Sequence, residues 1–285
     1  MRGRINKGIG GFYYVAVDDE IIECKARGKF RKEHITPIIG DEVEIEVKNG
    51  KGAITKIYER KNSLIRPAVA NIDVIVVVIA SKDPDPATFV TDKMLVNAEI
   101  NGIPSIVCIN KSDLANTSEL YDIYTCAGYK TVCVSALENN GLDELFEIIK
   151  GKTAAFAGVS GVGKSTILSR ITGMELETGT VSDKISRGKH TTRHVELFKM
   201  RGGGYVLDTP GFSSVETEDI SLQDLESCFP EILKHSSNCR FRGCAHIGEP
   251  DCAVKNAVLE GVIPQSRYES YKELYEIQKG KKIWK

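Results

Sequence analysis

Gly158-Val159-Ser160-Gly161-Val162-Gly163-Lys164-Ser165 is the stretch of this chain that decides its fold. It matches Gly-x4-Gly-Lys-Ser, a loop whose backbone N–H groups curl around phosphate oxygens. An apolar run, residues 153–157, precedes it, and a helix-like stretch, residues 164–171, follows it. The motif requires this strand-loop-helix context, so we predict a phosphate-binding loop at the positive end of a helix.

The side chains that end this loop have predicted roles toward a nucleoside triphosphate. Lys164 is expected to reach the β- and γ-phosphates, and Thr166 to lie against the α-phosphate. Ser165 is expected to place its hydroxyl on Mg²⁺, which prefers hard oxygen ligands. The alternative is a chance glycine-rich turn, which the flanking pattern disfavours.

A second motif, Asn110-Lys111-Ser112-Asp113, ends the apolar run 104–109, at an edge where α/β sheets bind ligands. The Asp113 carboxylate can accept hydrogen bonds from the guanine N1–H and exocyclic amine, which adenine cannot supply. Asn110 is expected to brace neighbouring loops, and the Lys111 stem to cover one face of the base. Four such residues also make an ordinary polar turn, but their coexistence with a phosphate loop favours guanine recognition.

Two weaker signals fit the same site. Ser135-Ala136 follows a short apolar segment, and its loop is expected to contact guanine O6 through a backbone N–H. Asp208-Thr-Pro-Gly211 follows the strand-like residues 205–207. Asp208 is therefore expected to hold a Mg²⁺-bound water, and the Gly211 N–H to meet the γ-phosphate.

The order of these motifs is unusual. In most guanine-nucleotide switches the phosphate loop opens the domain and Asn-Lys-x-Asp lies near its end, whereas here Asn110 precedes Gly158. We interpret the chain as a circularly permuted GTPase that binds GTP and GDP, and that leaves the GTPase domain just after the segment sensing the γ-phosphate.

The polar stretch 178–194 lacks apolar periodicity and predicts a mobile loop. Thr191 or Thr192 is expected to be the second protein ligand of Mg²⁺, with Thr192 slightly favoured. The same run holds His190 and His194, which are catalytic candidates. The alternative is a basic loop that is merely solvated.

The residue after Gly211 bears on catalysis. Many GTPases place a glutamine there to orient the attacking water, but this chain has Phe212, whose ring cannot hold water by hydrogen bonding. We therefore predict slow unassisted hydrolysis, at or below roughly 10⁻⁴ to 10⁻² s⁻¹. A partner is expected to complete the site by swinging His190 or His194 toward the γ-phosphate.

A third constellation is Cys239-x4-Cys244-x-His246-x5-Cys252, set among short polar and glycine-containing segments. Three thiolates and one imidazole form the closed tetrahedral set of a structural Zn²⁺ site. Such a site stabilises a lobe that has little apolar core of its own. Ordinary reduced cysteines are the alternative, and His235 is a substitute ligand.

Composition indicates a multi-domain protein of 285 residues with 38 basic and 39 acidic side chains. Net charge therefore does not signal a nucleic-acid partner, and only local basic clusters do, at residues 2–7, 25–32 and 279–285. Three of the eight cysteines fall in the metal set, and the odd remainder of five argues against a disulfide framework. We expect a cytoplasmic monomer without a membrane segment.

The domain organisation follows from a change in the spacing of apolar residues along the chain. Short alternating strands over residues 11–59 predict a small barrel, for which an OB-fold would fit. OB-folds commonly bind oligonucleotides, although the barrel could serve protein contact alone. From Asn71 apolar runs alternate with helix-length stretches, the βαβ signature of an α/β domain. We predict an OB-fold barrel at 1–65, the permuted GTPase at 66–220 and a helical zinc-binding domain at 221–285.

Together, the barrel, the permuted motif order and the Cys239 to Cys252 cluster resemble the RsgA family of small ribosomal subunit biogenesis GTPases over nearly the whole chain. The resemblance implies a GTPase that binds the immature 30S subunit and its 16S rRNA late in assembly, is stimulated by it and leaves after hydrolysis. A regulatory GTPase with a protein or membrane partner, and a nucleic-acid-binding protein with a vestigial nucleotide site, are the competing classes.

Overall fold

The computed structural model describes residues 1–18, 20–48, 50–65, 67–174, 195–209 and 220–281. These residues fall into two compact units. The first unit takes its residues from segments 1–74, 146–156 and 165–212, and the second from segments 75–145, 157–164 and 213–285. Both are built from discontinuous segments, because the chain crosses between them several times.

The first unit contains a closed five-stranded barrel. Its strands, in spatial order, are β1 (Arg2–Ile9), β2 (Phe12–Val17), β3 (Glu20–Ala26), β5 (Lys51–Ile57) and β4 (Glu42–Lys48). A short helix, α1 (Gly28–Lys32), follows β3. In β4, Val43 and Ile45 are buried while Glu46 is exposed, as the alternating pattern predicts, but Val47, which the same pattern places on the buried face, is exposed. The predicted barrel is confirmed, and its core includes Ile5, Val15, Phe30 and Ile54.

Strand β1 was not predicted, because its residues appear in the sequence as a basic cluster. It pairs antiparallel with both β2 and β4, so it closes the barrel. Arg2 and Arg4 both pair with Glu42 of β4. The pairing with β2 shifts register between Ile5 and Lys7, which marks a bulge at Asn6.

The rest of the first unit carries strands of the nucleotide-binding fold. Strand β11 (Thr153–Ala157) lies parallel to β13 (Tyr205–Asp208), and the short β12 (Phe198–Lys199) pairs antiparallel with β13. A two-stranded pair, β6 (Ser63–Leu64) and β7 (Val69–Ala70), stands apart from these strands. Helix α5 (Lys164–Thr172) follows β11 after the glycine-rich loop, so the predicted strand-loop-helix order is confirmed.

The second unit contains a parallel βαβ arrangement. Its strands lie in the order β10 (Lys130–Cys133), β9 (Ser105–Asn110) and β8 (Val74–Ala80), with all pairings parallel. Helices α2 (Thr88–Ile100), α3 (Ser118–Cys126) and α4 (Leu142–Ile149) follow these strands along the chain. Strand β8 is buried along its entire length, as expected for a strand covered on both faces.

The C-terminal lobe, defined as residues 220–281, belongs to the second unit. Its helices are α6 (Leu222–Ser227), α7 (Pro230–Ser236), α8 (Ala253–Leu259) and α9 (Gln265–Lys281). They share a core that includes Leu225, Phe229, Tyr271 and Leu274. None of the helices in the described part of the chain combines the length and apolar composition needed to span a membrane.

Candidate nucleotide site and metal cluster

The phosphate loop depends on glycine at two positions. Gly158 has φ +152°, and a Cβ there would lie 2.4 Å from the backbone O of Val78 on β8. Gly163 has φ +93°, and a Cβ there would lie 2.3 Å from Nδ2 of Asn110. Any larger residue would therefore push this loop away from its neighbours, so the close approach requires glycine.

Lys164 begins helix α5 and turns back over the loop that precedes it. Its Nζ donates to the backbone O of Gly158 at 2.7 Å and of Val159 at 3.0 Å. This places the ammonium over the loop, beside the N-terminus of α5, where an anion is favoured. Ser165 and Thr166 follow in the first turn of α5, and both are half-buried.

Asn110, at the end of β9, connects two loops through one buried amide. Its Nδ2 donates to the backbone O of Val162 at 2.7 Å, and its Oδ1 accepts from the backbone N of Ala136 at 3.1 Å. Asn110 thus joins the phosphate loop to the Ser135-Ala136 loop, and the predicted bracing contacts are present.

The remaining residues of the guanine motif turn outward from β9. Lys111 adopts φ +62°, and its backbone O accepts from Oγ of Ser81 at 2.5 Å. The Ser81 N–H donates to the backbone O of Asn110 at 2.9 Å, so Ser81 holds both residues of the turn. The Ser112 N–H donates to the backbone O of Val134, and the Asp113 side chain is exposed.

Sequence reasoning missed the contribution of Ser81 and its loop. Besides the Ser81 contacts, Nζ of Lys111 donates to the backbone O of Asp83. The only sequence signal was position, because Ser81 directly follows β8 at the carboxyl edge of parallel strands, where ligands bind.

The Ser135-Ala136 loop is a tight turn closed on Asn140. Ser135 and Asn140 exchange two backbone hydrogen bonds, and Oγ of Ser135 accepts from the Glu138 N–H at 3.2 Å. The Ser135 and Ala136 N–H groups therefore both donate to protein acceptors. A contact from Ala136 to guanine O6 would share that N–H with Asn110.

Asp208 lies at the carboxyl end of β13, in register with Phe156 on β11. The next residue, Thr209, is buried, and its N–H and Oγ both donate to the backbone O of Phe156, at 3.1 and 2.8 Å. Asp208 is thus fixed beside the strand that runs into the phosphate loop two residues later. The predicted residues Thr191, Thr192, His190, His194, Gly211 and Phe212 lie outside the described residues.

The four predicted metal ligands come together in the C-terminal lobe. Their ligand atoms all lie within 4.8 Å of one another. Nδ1 of His246 is 3.5 Å from Sγ of Cys239 and 3.4 Å from Sγ of Cys252, and these two sulfurs are 3.8 Å apart. A tetrahedral Zn²⁺ site implies separations of about 3.5 Å between nitrogen and sulfur and about 3.8 Å between sulfurs. The cluster, which includes Cys244 but not His235, fits such an ion.

Surrounding groups hold the cluster in shape. Nε2 of His246 lies 3.5 Å from Oε2 of Glu226, a carboxylate placed to orient the imidazole, although this is longer than an ideal hydrogen bond. The Tyr268 and Tyr271 hydroxyls donate to the backbone O of His246 and Ala245, at 2.7 and 3.1 Å. Sequence reasoning missed these three supports.

Protonation opposes metal binding at this cluster. Burial raises the pKa of the Cys244 thiol to about 12 before any metal is bound. A metal must therefore displace a proton, which makes its affinity dependent on pH. All eight cysteines are unbridged thiols.

Comparison with known proteins agrees with the fold and the motifs. Residues 57–218 match the family described as RsgA GTPase, and residues 2–54 match the RsgA N-terminal domain. The chain is 49% identical, over 95% of its length and 93% of the relative's, to the small ribosomal subunit biogenesis GTPase RsgA of Caldanaerobacter subterraneus subsp. tengcongensis.

Two crystal structures share the architecture. YloQ, described as a circularly permuted GTPase, is 40% identical, with a TM-score of 0.81 over 98% of this chain and 95% of that one. YjeQ from Thermotoga maritima is 37% identical, with a TM-score of 0.83 over 98% of both chains.

The fold and the motif order define a circularly permuted GTPase, an enzyme that hydrolyses GTP, with an N-terminal OB-fold barrel and a Cys₃His cluster in its C-terminal region. The chain belongs to the RsgA GTPase family, and it is a GTPase of ribosome biogenesis.

Proposed function

We propose that this GTPase acts late in maturation of the small ribosomal subunit, binding the 30S particle and its 16S rRNA and hydrolysing GTP faster when bound. The observation that carries the proposal is the near full-length match to a relative named as a small ribosomal subunit biogenesis GTPase. The protein works as a cytoplasmic monomer with domains at 1–65, 66–220 and 221–285.

In this proposal the phosphates bind to the loop that Asn110 contacts through Val162, and the base binds beside the Ser135-Ala136 loop. Asp113 accepts from guanine, and the exposed position of its carboxylate leaves it accessible to a base. Lys164, whose ammonium lies over the phosphate loop, binds the β- and γ-phosphates. Ser165 and Thr192 hold the Mg²⁺ that accompanies GTP, and Asp208 holds one of its waters. The bound metal would neutralise phosphate charge.

The C-terminal cluster holds one structural Zn²⁺ in this proposal. The nitrogen and sulfur separations support that assignment, since they agree with tetrahedral coordination by Cys239, Cys244, His246 and Cys252. The metal would crosslink the segments between α7 and α8, and its binding would release the thiol protons of Cys239, Cys244 and Cys252 to solvent, while His246 would bind as the neutral imidazole.

The ribosomal subunit completes the catalytic site. Phe212 stands where a water-orienting glutamine is common, so the isolated enzyme lacks that group. We propose that the bound subunit brings His190 or His194 to the γ-phosphate. Replacing both histidines by alanine should then abolish the stimulation while leaving basal turnover in place. Unchanged stimulation in the double variant would contradict this role.

Steady-state GTP hydrolysis with and without purified 30S subunits tests the proposed partner. Stimulation by 30S subunits and not by 50S subunits is the expected result, and Lys164→Ala should remove turnover in every condition. Equal rates with 30S, with 50S and without subunits would overturn the proposal. Stimulation by 50S alone would do the same.

The role of Asp113 has a sharper test, because its chemistry can be inverted. In Asp113→Asn the side chain gains an N–H donor, which suits the C2 carbonyl of xanthine and not the amine of guanine. GTP affinity should fall by about 10²-fold or more, while XTP affinity rises. Ser112→Ala is the matched control within the same turn. A loss of both nucleotides together would indicate misfolding of the loop and not base recognition.

A further inference from the structure

Strand β1 of the barrel contacts segments that lead to the predicted γ-phosphate sensors. Nη1 of Arg4 donates to Oγ of Thr153 at 2.7 Å, at the start of β11, and its guanidinium lies 5.2 Å from the ring centre of Tyr205, at the start of β13. Strand β11 runs into the phosphate loop, and β13 ends at Asp208. The barrel is thus joined directly to the nucleotide-binding strands of its own unit.

A third contact involves the residues that follow the predicted Mg²⁺-binding loop. Leu197 is buried, and its N–H donates to the backbone O of Asn6 at 2.9 Å. Lys7 and Glu196 form an isolated antiparallel bridge, and Nζ of Lys7 lies 2.5 Å from Oε2 of Glu196. Glu196 lies four residues after Thr192 in the chain and two before β12.

The Lys7–Glu196 pair lines a surface cavity of about 380 Å³. Its other lining residues are Asn6, Ile9, Tyr14 and Ile21. Ile9 and Ile21 are exposed apolar side chains, and Tyr14 is the aromatic residue of the lining. Asn6 lies at the bulge of β1, and its buried Oδ1 accepts no hydrogen bond within the described part of the chain.

This combination matches the chemistry of one unpaired nucleotide. Apolar and aromatic side chains stack on a base, an amide pairs with its polar edge, and a lysine pairs with a phosphate. The volume lies within the range of small-molecule sites. In the described structure the ammonium that would receive the phosphate is held by Glu196, so phosphate and carboxylate would compete for Lys7.

We propose that the cavity binds an unpaired nucleotide of the small-subunit rRNA, and that its phosphate displaces Glu196 from Lys7. This inference rests on the proposed function and assigns its regulation. In the GTP form Glu196 moves away and leaves Lys7 to the RNA, because Glu196 lies two residues before β12, which pairs with β13, the strand that ends at Asp208. After hydrolysis Glu196 returns to Lys7 and displaces the phosphate. Since coupling is reciprocal, RNA on Lys7 favours the GTP-bound arrangement of residues 195–199.

Two substitutions separate the partners of this pair by the direction of their effects. Glu196→Gln removes the competitor, so 30S affinity in the GDP form should rise roughly three- to fivefold, toward that of the form bound to a non-hydrolysable GTP analogue. Lys7→Met removes the anion site, so affinity in the analogue form should fall by about the same factor, toward the GDP value. Both variants should bring the ratio of the two affinities close to one.

The matched control is Glu46→Gln, which breaks the Arg27–Glu46 pair on the same barrel, 2.6 Å long and away from the cavity. It should keep the wild-type affinity ratio. If wild type shows the nucleotide-dependent ratio and both cavity variants retain it, the inference is wrong while the proposed function stands. If wild type binds 30S equally in both forms, the nucleotide coupling itself fails, and this inference fails with it.

Crosslinking identifies the occupant of the cavity. A photoreactive group attached to Ile21→Cys should label 16S rRNA in the 30S complex, and the same group on Glu46→Cys should label it far less. Predominant labelling of a ribosomal protein from position 21, or no labelling above the control, would overturn the assignment to RNA.

Discussion

The barrel and the C-terminal lobe solve the same problem of stability in different ways. The barrel closes its strands on one another, so no edge is left, and its core is a small set of apolar side chains. Three helices of the lobe, α6 to α8, are only six or seven residues long, too short to be stable alone. The lobe therefore depends on polar crosslinks within its core.

One of these crosslinks is a fully buried cation. Arg267 on α9 pairs with Asp92 on α2 and Glu231 on α7, each at 2.7 Å. Its guanidinium also lies 4.6 Å from the ring centre of Phe229. Burial raises the pKa of Asp92, against the attraction of Arg267, whereas hydrogen bonds from Arg2 and Arg4 lower the pKa of Glu42 in the barrel. The lobe thus carries these charges in its buried core, whereas the barrel carries its Arg–Glu42 pairs at the partly exposed surface.

Loss of the metal should have the largest effect, and only in the lobe. Cys252→Ser is expected to remove bound Zn²⁺, whose contribution to folding is about 10 to 16 kcal/mol in small domains. Hydrogen exchange should show lost amide protection over residues 236–259 and unchanged protection in the barrel. Mass spectrometry of the same variant should show that the bound metal is gone. Cys126→Ser, at an exposed thiol outside the cluster, is the control. Full protection of the lobe in metal-free protein would contradict a structural metal.

Removal of Arg267 should be the next largest effect. Arg267→Met leaves two carboxylates buried without their cation, which costs about 3 to 5 kcal/mol. The loss in free energy of unfolding is measured by urea denaturation, monitored through hydrogen exchange of the amides in α7 and α9. Replacing Asp92 and Glu231 by leucine together with Arg267→Met should recover most of it, since no buried charge then remains. If the triple variant were no more stable than Arg267→Met, packing and not charge would explain the effect.

A substitution in the barrel core should lower the free energy of unfolding by less than loss of the metal or of Arg267. Ile54 is fully buried, and Ile54→Val removes one methylene from the core. The expected loss is about 1 kcal/mol, confined to barrel amides in hydrogen exchange. Ile21→Val, at an exposed position on β3, is the matched control. An equal loss in both variants would mean that burial does not set the stability of the barrel.

The smallest expected effect is the pH dependence of the barrel. Because the folded-state pKa of Glu42 is lowered, its pairing stabilises the barrel above the ordinary glutamate pKa. That stabilisation is lost as pH falls through the lowered pKa. Barrel amides should thus be less protected at pH 3 than at pH 5.5, after correction for intrinsic exchange, and Glu42→Gln should reduce the difference. Equal pH dependence in both proteins would contradict this account.

The features that could be predicted from the sequence are those set by local patterns, and the features that were missed depend on charge pairs between residues far apart in the chain. Strands β2 to β5 follow alternation of period two, and the phosphate loop and Cys₃His cluster follow fixed spacings, so local patterns were enough. Strand β1 was missed because Arg2 and Arg4 are neutralised by Glu42, a partner about 40 residues away. Arg267 was missed for the same reason, since Asp92 is 175 residues away in the chain.

The residues of the candidate site also fall into those that a motif predicts and those that it does not. Asn110 and Lys164 were found by motif, whereas Ser81 was missed because no spacing links it to the residues that it holds. Long-range partners of single polar side chains leave no periodic trace in a sequence. The domain boundaries and the roles of the nucleotide-site residues stay predictions.

The two hydrogen bonds of the Asn110 amide have a kinetic consequence. They connect the loop predicted to bind the phosphates with the loop predicted to lie beside the base. Neither loop can therefore open without straining the other, so we expect base and phosphates to be released in one concerted event. The residence time of the nucleotide would then be controlled by a single side chain that bonds to both loops.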